Sequence, residues 1–229
     1  MSASPAALIW LVATLSLYIL SRAIQRRIGR WWAGPAVTVP PVLVFATLST
    51  GTDYATYLGL NAFWIWLLGP ATVAFAFPVW KFRATVRARW RALAACILVG
   101  SAVSFCTGLA FAYFFDFSDL LTASLLPRSI TSPFAMPFAE QLGGDGKLAA
   151  LMVILVGIIG GVFGNIMLGF GINDPFARGM MFGVSAHGVG TAFARELGQE
   201  EGATAALAMI LMGLSNSIFL SVFLMIQPR

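Results

Sequence analysis

Apolar residues fall along this chain in eight long runs, with most polar residues gathered in short connectors between them. The runs cover residues 6–20, 37–48, 58–80, 93–115, 120–139, 148–170, 176–194 and 203–226. About 20 apolar residues carry an α-helix across a bilayer, so the third, fourth, sixth and eighth runs can span. The first reaches that length only if it continues through Ala23 and Ile24. The second is short and begins at Pro40-Pro41, so it is tilted or crosses half-way. The pattern predicts one all-α polytopic membrane domain over residues 1–229, with six to eight membrane segments.

The fifth and seventh runs are interrupted. Residues 126–137 read Leu-Pro-Arg-Ser-Ile-Thr-Ser-Pro-Phe-Ala-Met-Pro. Asp174-Pro-Phe-Ala-Arg178 leads into Gly183-Val-Ser-Ala-His-Gly-Val-Gly-Thr-Ala192. A helix broken by Gly and Pro in hydrocarbon leaves backbone groups unpaired, at several kcal/mol each. Such breaks persist where protein or a wet cavity satisfies them, and transporters place their binding sites there. Both segments are therefore expected to be discontinuous or re-entrant helices carrying a site. A faint internal repeat accompanies them. Thr72-Val-Ala-Phe-Ala-Phe-Pro78 echoes Thr131-Ser-Pro-Phe-Ala-Met-Pro137, and Ala92-Leu-Ala94 echoes Ala206-Leu-Ala208. The two offsets differ, so duplicated halves 1–115 and 116–229 and chance likeness both remain open.

Composition puts most of the protein in lipid. Of 229 residues, 59% are hydrophobic and 10% charged, and mean hydropathy is +0.86; soluble domains carry roughly 25% charged residues. The net charge of +5 could suggest nucleic acid. Nine of the fourteen basic residues, however, lie at Arg22–Arg30 and Lys81–Arg91, beside apolar runs. That is the positive-inside signature, and it excludes a nucleic-acid reading. Both loops are expected in the cytoplasm, with the N-terminus, the Asp53 loop and the Asp116/Asp119 loop outside. The first run has its basic residues after it, the reverse of a secretory signal, and is expected to stay as a helix. Cys96 and Cys106 lie about 15 Å apart along one helix and cannot bridge within it. One histidine and no Cys/His cluster exclude a zinc or haem site, and no cofactor is expected.

Several residues in the interrupted runs could carry chemistry. Arg128, with Ser129, Thr131 and Ser132, could grip a carboxylate through its guanidinium fork and hydroxyls; the alternative is an arginine snorkelling to a headgroup. Asp174 reads as an N-cap followed by Pro175, and Arg178, four residues on, can pair with it as a structural link or gate. His187 stands among Ser185, Gly188, Gly190 and Thr191. Unwinding there would free N–H groups for an anion, and the imidazole could bind it or carry a proton. A histidine hydrogen-bonded across a tight helix interface is the other reading. Asn165, Asn216 and Thr72 are accessory candidates, the asparagines more readily bonding a neighbouring helix. Trp31, Trp32, Trp64 and Trp66 read as interfacial belt. Catalysis is not expected: Ser185 and His187 have no nearby acid to complete a triad, and position 187 breaks a Gly-x-Ser-x-Gly elbow.

These motifs together, Leu-Pro-Arg128-Ser129-Ile-Thr131-Ser-Pro133, Gln141-Leu-Gly-Gly144, Asp174-Pro-Phe-Ala-Arg178-Gly and Ser185-Ala-His187-Gly-Val-Gly190-Thr-Ala192, closely resemble the LrgB/CidB family over essentially the whole chain. Gly69-Pro-Ala-Thr-Val-Ala74 adds to the likeness. Arg128 stands where that family often has Lys, and Met180-Met181 follows the Arg178 segment. The resemblance implies a bacterial plasma-membrane protein, a homodimer or an assembly with a small LrgA/CidA-like subunit. Two functions are implied. One is antiholin-like regulation of murein hydrolase export and lysis. The other is transport of small carboxylates: plastid relatives move glycolate and glycerate, and bacterial pairs are associated with pyruvate. Buried Arg and His on broken helices suit the second.

Overall fold

The computed structural model describes residues 5–29, 33–74 and 76–226, apart from the side chains at 36, 68, 71, 72, 78 and 223–226. Trp31, Trp32 and the Thr72 side chain thus lie outside the described part. All described regular structure is helical. The chain divides into two compact units, Met1–Val73 and Ala74–Arg229.

The first unit holds α1 (Pro5–Ile28), α2 (Pro35–Ser49), α3 (Tyr54–Leu60) and α4 (Ala62–Ala74). Helix α1 ends on Arg26 and Arg27, as its charge pattern requires. Ser21 and Thr38 share a 2.6 Å hydrogen bond between α1 and α2. Asp53 caps α3 by accepting from the Ala55 and Thr56 N–H groups; the Thr56 hydroxyl first, and then these N–H groups, hold its carboxyl below the usual range. The third apolar run is not one helix: it breaks at Asn61, whose side chain satisfies the Tyr57 carbonyl.

The second unit holds α5 (Ala76–Lys81), α6 (Arg83–Phe114), α7 (Asp119–Leu125), a 3-10 turn (Leu126–Ser129), α8 (Ser132–Gln141), α9 (Gly146–Leu168), α10 (Pro175–Leu197) and α11 (Gln199–Ile226). Among the described residues, four helices are long and apolar enough to cross a membrane: α1, α6, α9 and α11. Only 17% and 22% of the apolar windows of α6 and α9 are buried, against 56% for α11. Helix α11 is therefore the core of this unit, with α6 and α9 leaving large apolar faces for lipid. The fold resolves the fifth and seventh runs, because both turn back on themselves.

Between α7 and α9 the Asp145 N–H donates to Ser124 Oγ at 2.8 Å. These residues are 21 positions apart, about 30 Å in a straight helix. The chain has therefore gone out along α7, turned at Leu126–Ser129 and come back along α8. Pro127 and Pro133 stop a continuous helix here. Asp145 then caps α9 through the Leu148 and Lys147 N–H groups, and these hold its carboxyl below the usual range.

Helix α10 reverses at His187, where φ is 47° and ψ −123°. Its contacts climb α11 and then descend it. Gly179 lies against Glu201 and Thr204, and Gly183 against Ala205 and Ala208. Thr191 then reaches Met209, Arg195 packs on Gly202, and Gly198 meets Glu201. Gly190 abuts the carbonyl of Phe182, which a straight helix would leave about 12 Å away. The rings of Phe182 and Phe193 stack at 6.1 Å and sit over Gly164 and Gly161 of α9. Residues 175–186 and 188–197 are thus two arms of a hairpin.

The two hairpins enter from opposite ends. The first opens at the C-terminal end of α6; the second opens at the C-terminal end of α9. Helices α6 and α9 run antiparallel: Arg89, near the start of α6, meets Asp174 at the base of the second hairpin, whereas α9 begins at the base of the first. A helix followed by a hairpin is therefore used twice with inverted direction. Gly160 lets the second hairpin approach α9, since a Cβ there would stand 2.7 Å from the Ser185 carbonyl oxygen. Gly160→Ala is expected to lower stability by about 1–3 kcal/mol. Gly59→Ala, which meets nothing within 4 Å, should be neutral or stabilising by up to about 1 kcal/mol. Thermal unfolding in detergent compares the two.

Candidate functional site

The two hairpin tips touch. The His187 imidazole lies against the Ser129 backbone. Its Nε2 is buried without a partner. His187 is 2% exposed and occupies a positive-φ region that favours glycine, a strain of order 1–3 kcal/mol. The Thr191 hydroxyl donates to the His187 carbonyl at 2.8 Å.

Arg128 lies beside Ser129 in the first tip, 8% exposed. Its Nη2 donates to the Ser104 carbonyl at 2.9 Å and to the Thr107 hydroxyl at 2.7 Å, both on α6. Its Nη1 has no partner, nor has the buried Ser104 hydroxyl. Arg128 takes part in neither of the ion pairs Arg89–Asp174 and Arg178–Glu201, and its guanidinium hydrogen bonds go to α6. Arg128 therefore does not snorkel; it turns inward and is held at the tip.

Both returning arms begin at these tips. Helix α8 starts after Thr131, which makes no side-chain cap hydrogen bond, and the arm 188–197 starts after His187. Their first N–H groups and positive dipole ends accordingly face the place where the tips meet. Gly188 is exposed and has open space around it. A cation, an imidazole nitrogen and two helix N-termini can together hold a small anion.

The other candidates take different places. Thr131 and Ser132 begin α8 beside the first tip. Ser185 is exposed and bonds the Met181 carbonyl of its own arm at 2.7 Å. Gly190 serves the close approach to Phe182. Asn165 bonds Gly161 within α9, whereas Asn216 links α11 to Ser101 of α6 at 2.9 Å, as a helix-bonding asparagine should.

The expected pairing of Asp174 with Arg178 is replaced by longer-range partners. Asp174 caps α10 and pairs with Arg89 at 3.4 Å, while Arg178 pairs with Glu201 at 3.8 Å and bonds the Ile172 carbonyl. The reversal at His187 brings the start of α11 to the base of the hairpin, which supplies Glu201. Arg89 and Asp174 are about half exposed, so their coupling should be within about 1 kcal/mol. A double-mutant cycle with Arg89→Gln and Asp174→Asn measures it. The α6 residues at Arg128, namely Ser104, Thr107 and Gly108, are not apparent from sequence alone. Their one signal is the four-residue spacing of Ser104 and Gly108, which sets a hydroxyl and a gap on one helix face.

The sequence profile of the LrgB-like family matches residues 14–226. The chain belongs to the LrgB-like family. It is similar to YwbG of Bacillus subtilis (strain 168), with 33% identity over 202 residues, 88% of this chain and 90% of the relative. It is also similar to the holin-like protein CidB of Staphylococcus aureus (strain N315), with 28% identity over 221 residues, 96% of each chain. CidB of Staphylococcus epidermidis (strain ATCC 12228 / FDA PCI 1200) is 27% identical over the same length. No solved structure matches this chain. Family membership and the long apolar helices together make this an integral membrane protein with bacterial relatives.

Proposed function

We propose that this LrgB-like protein is a secondary transporter of small 2-oxo or 2-hydroxy carboxylates, of the pyruvate, glycolate or glycerate class. The observation that carries the reading is Arg128: a buried guanidinium without a carboxylate partner, borne on the tip that meets the second hairpin and turned against α6. A buried cation with no counter-charge is costly, and a mobile anion supplies one. Inverted repeats with broken helices at the midplane are the architecture that secondary transporters use for this task.

In this reading α6, α9 and α11 of the second unit cross the membrane, and the two hairpins are re-entrant. The positive-inside rule puts the start of α6 in the cytoplasm, so the first hairpin opens outside and the second inside. Arg128 binds the carboxylate, and His187 with the N–H groups of the returning arms completes the site. A small LrgA/CidA-like subunit is the expected partner, in the plasma membrane.

The CidB relatives are named holin-like, which favours a second reading, a membrane regulator of lysis; antiholin-like control of murein hydrolase export is the form of it expected from the sequence resemblance. Reconstituted vesicles separate the two. Labelled pyruvate, glycolate or glycerate should accumulate in vesicles holding this chain, alone or with its LrgA-like partner. Absence of uptake in both preparations, with lysis altered in cells, would support the regulator instead.

A further inference from the structure

The geometry points to α6 as the third wall of the anion site, with Ser104 binding the solute directly and Thr107 and Gly108 positioning Arg128. This rests on the transporter reading and deepens it. Arg128 Nη1 and Ser104 Oγ are both buried without partners, on residues that are each 8% exposed. They lie on one patch. Nη2 of the same guanidinium is bonded to the Ser104 carbonyl, and Nη1 stands 2.5 Å from where a Cβ on Gly108 would be. Ser104 and Gly108, four apart, stack on one face of α6. Two orphaned donors on neighbouring residues of one patch, one of them cationic, suit a carboxylate.

Each α6 residue has its own part. The Thr107 hydroxyl accepts from Nη2 at 2.7 Å, leaving Nη1 free for the solute. Gly108 leaves room for that nitrogen. The Ser104 hydroxyl donates to the bound oxygen, where no other partner competes for it.

The test uses the full chain in nanodiscs, in chloride-free buffer, with labelled pyruvate binding measured separately from vesicle uptake. Ser104→Ala is expected to weaken binding about 10–100-fold, the loss of a hydrogen bond to a charged group. Ser104→Thr, which keeps the hydroxyl, should restore it to within about 3-fold of the parent. Ser221→Ala, removing an exposed hydroxyl bonded to its own helix, should leave binding unchanged. Gly108→Ala should abolish binding by displacing the guanidinium.

A folded Ser104→Ala protein that binds pyruvate as the parent does overturns this inference and leaves the transporter reading standing. A parent protein that neither binds nor transports pyruvate, glycolate or glycerate overturns both. Chloride that displaces pyruvate at equal concentration overturns the assignment of the site to carboxylates.

Discussion

Replacing His187 by glycine is expected to stop carboxylate uptake and yet give a more stable protein than replacing it by alanine. The argument begins with the backbone. At φ 47° an L side chain is strained by about 1–3 kcal/mol, and glycine is free of that strain. Both substitutions remove the imidazole, so their difference isolates the backbone. In an ordinary helix interior alanine is the better residue by about 1 kcal/mol. At the tip of a hairpin the order should invert, with His187→Gly more stable by about 1 kcal/mol or more. Unfolding midpoints of the two variants decide it. Alanine ranking above glycine would mean that residues 175–197 form a continuous helix.

Arg128→Met is expected to leave the protein folded and reduce uptake by about 100-fold or more. Replacing a buried charge by an apolar side chain of similar length is often neutral for stability, because the desolvation of the cation disappears with it. The solute, in contrast, loses a charge-assisted hydrogen bond and its counter-charge. Arg128→Lys should fall between. A single ammonium replaces the planar fork, so it cannot keep the two α6 bonds and also present a free donor in the same geometry. Uptake assays at matched protein levels read the series. Full uptake by Arg128→Met would remove the guanidinium from the site.

Much of this was legible in the residues. The eight apolar runs recur as helices or broken helices, and Pro127, Pro133 and the glycines around His187 mark where two of them turn. Hydropathy could not tell a helix that crosses from one that returns. A 23-residue apolar segment and two arms of about eleven residues have the same composition, and only contacts between residues far apart along the segment and with α11 distinguish them. The turning residue was also hidden. Gly183, Gly188 and Gly190 are the residues suited to a reversal, but the positive φ falls on His187 and the glycines serve close approach or open space. The partners of Asp174 and Arg178 lay on α6 and α11, beyond the reach of local spacing. Ser104, Thr107 and Gly108 sit in an apolar run where small residues pass as ordinary helix packing.

The re-entrant arrangement can be read directly by cysteine labelling from either face of the membrane. In a background lacking Cys96 and Cys106, single cysteines would replace Asp119 and Gln141 at the base of the first hairpin, and Asn173 and Gln199 at the base of the second. A membrane-impermeant maleimide is expected to reach positions 119 and 141 from outside only, and positions 173 and 199 from the cytoplasmic face only. Labelling of 173 and 199 from opposite faces would make α10 a crossing helix, separate His187 from a tip, and contradict the site built here.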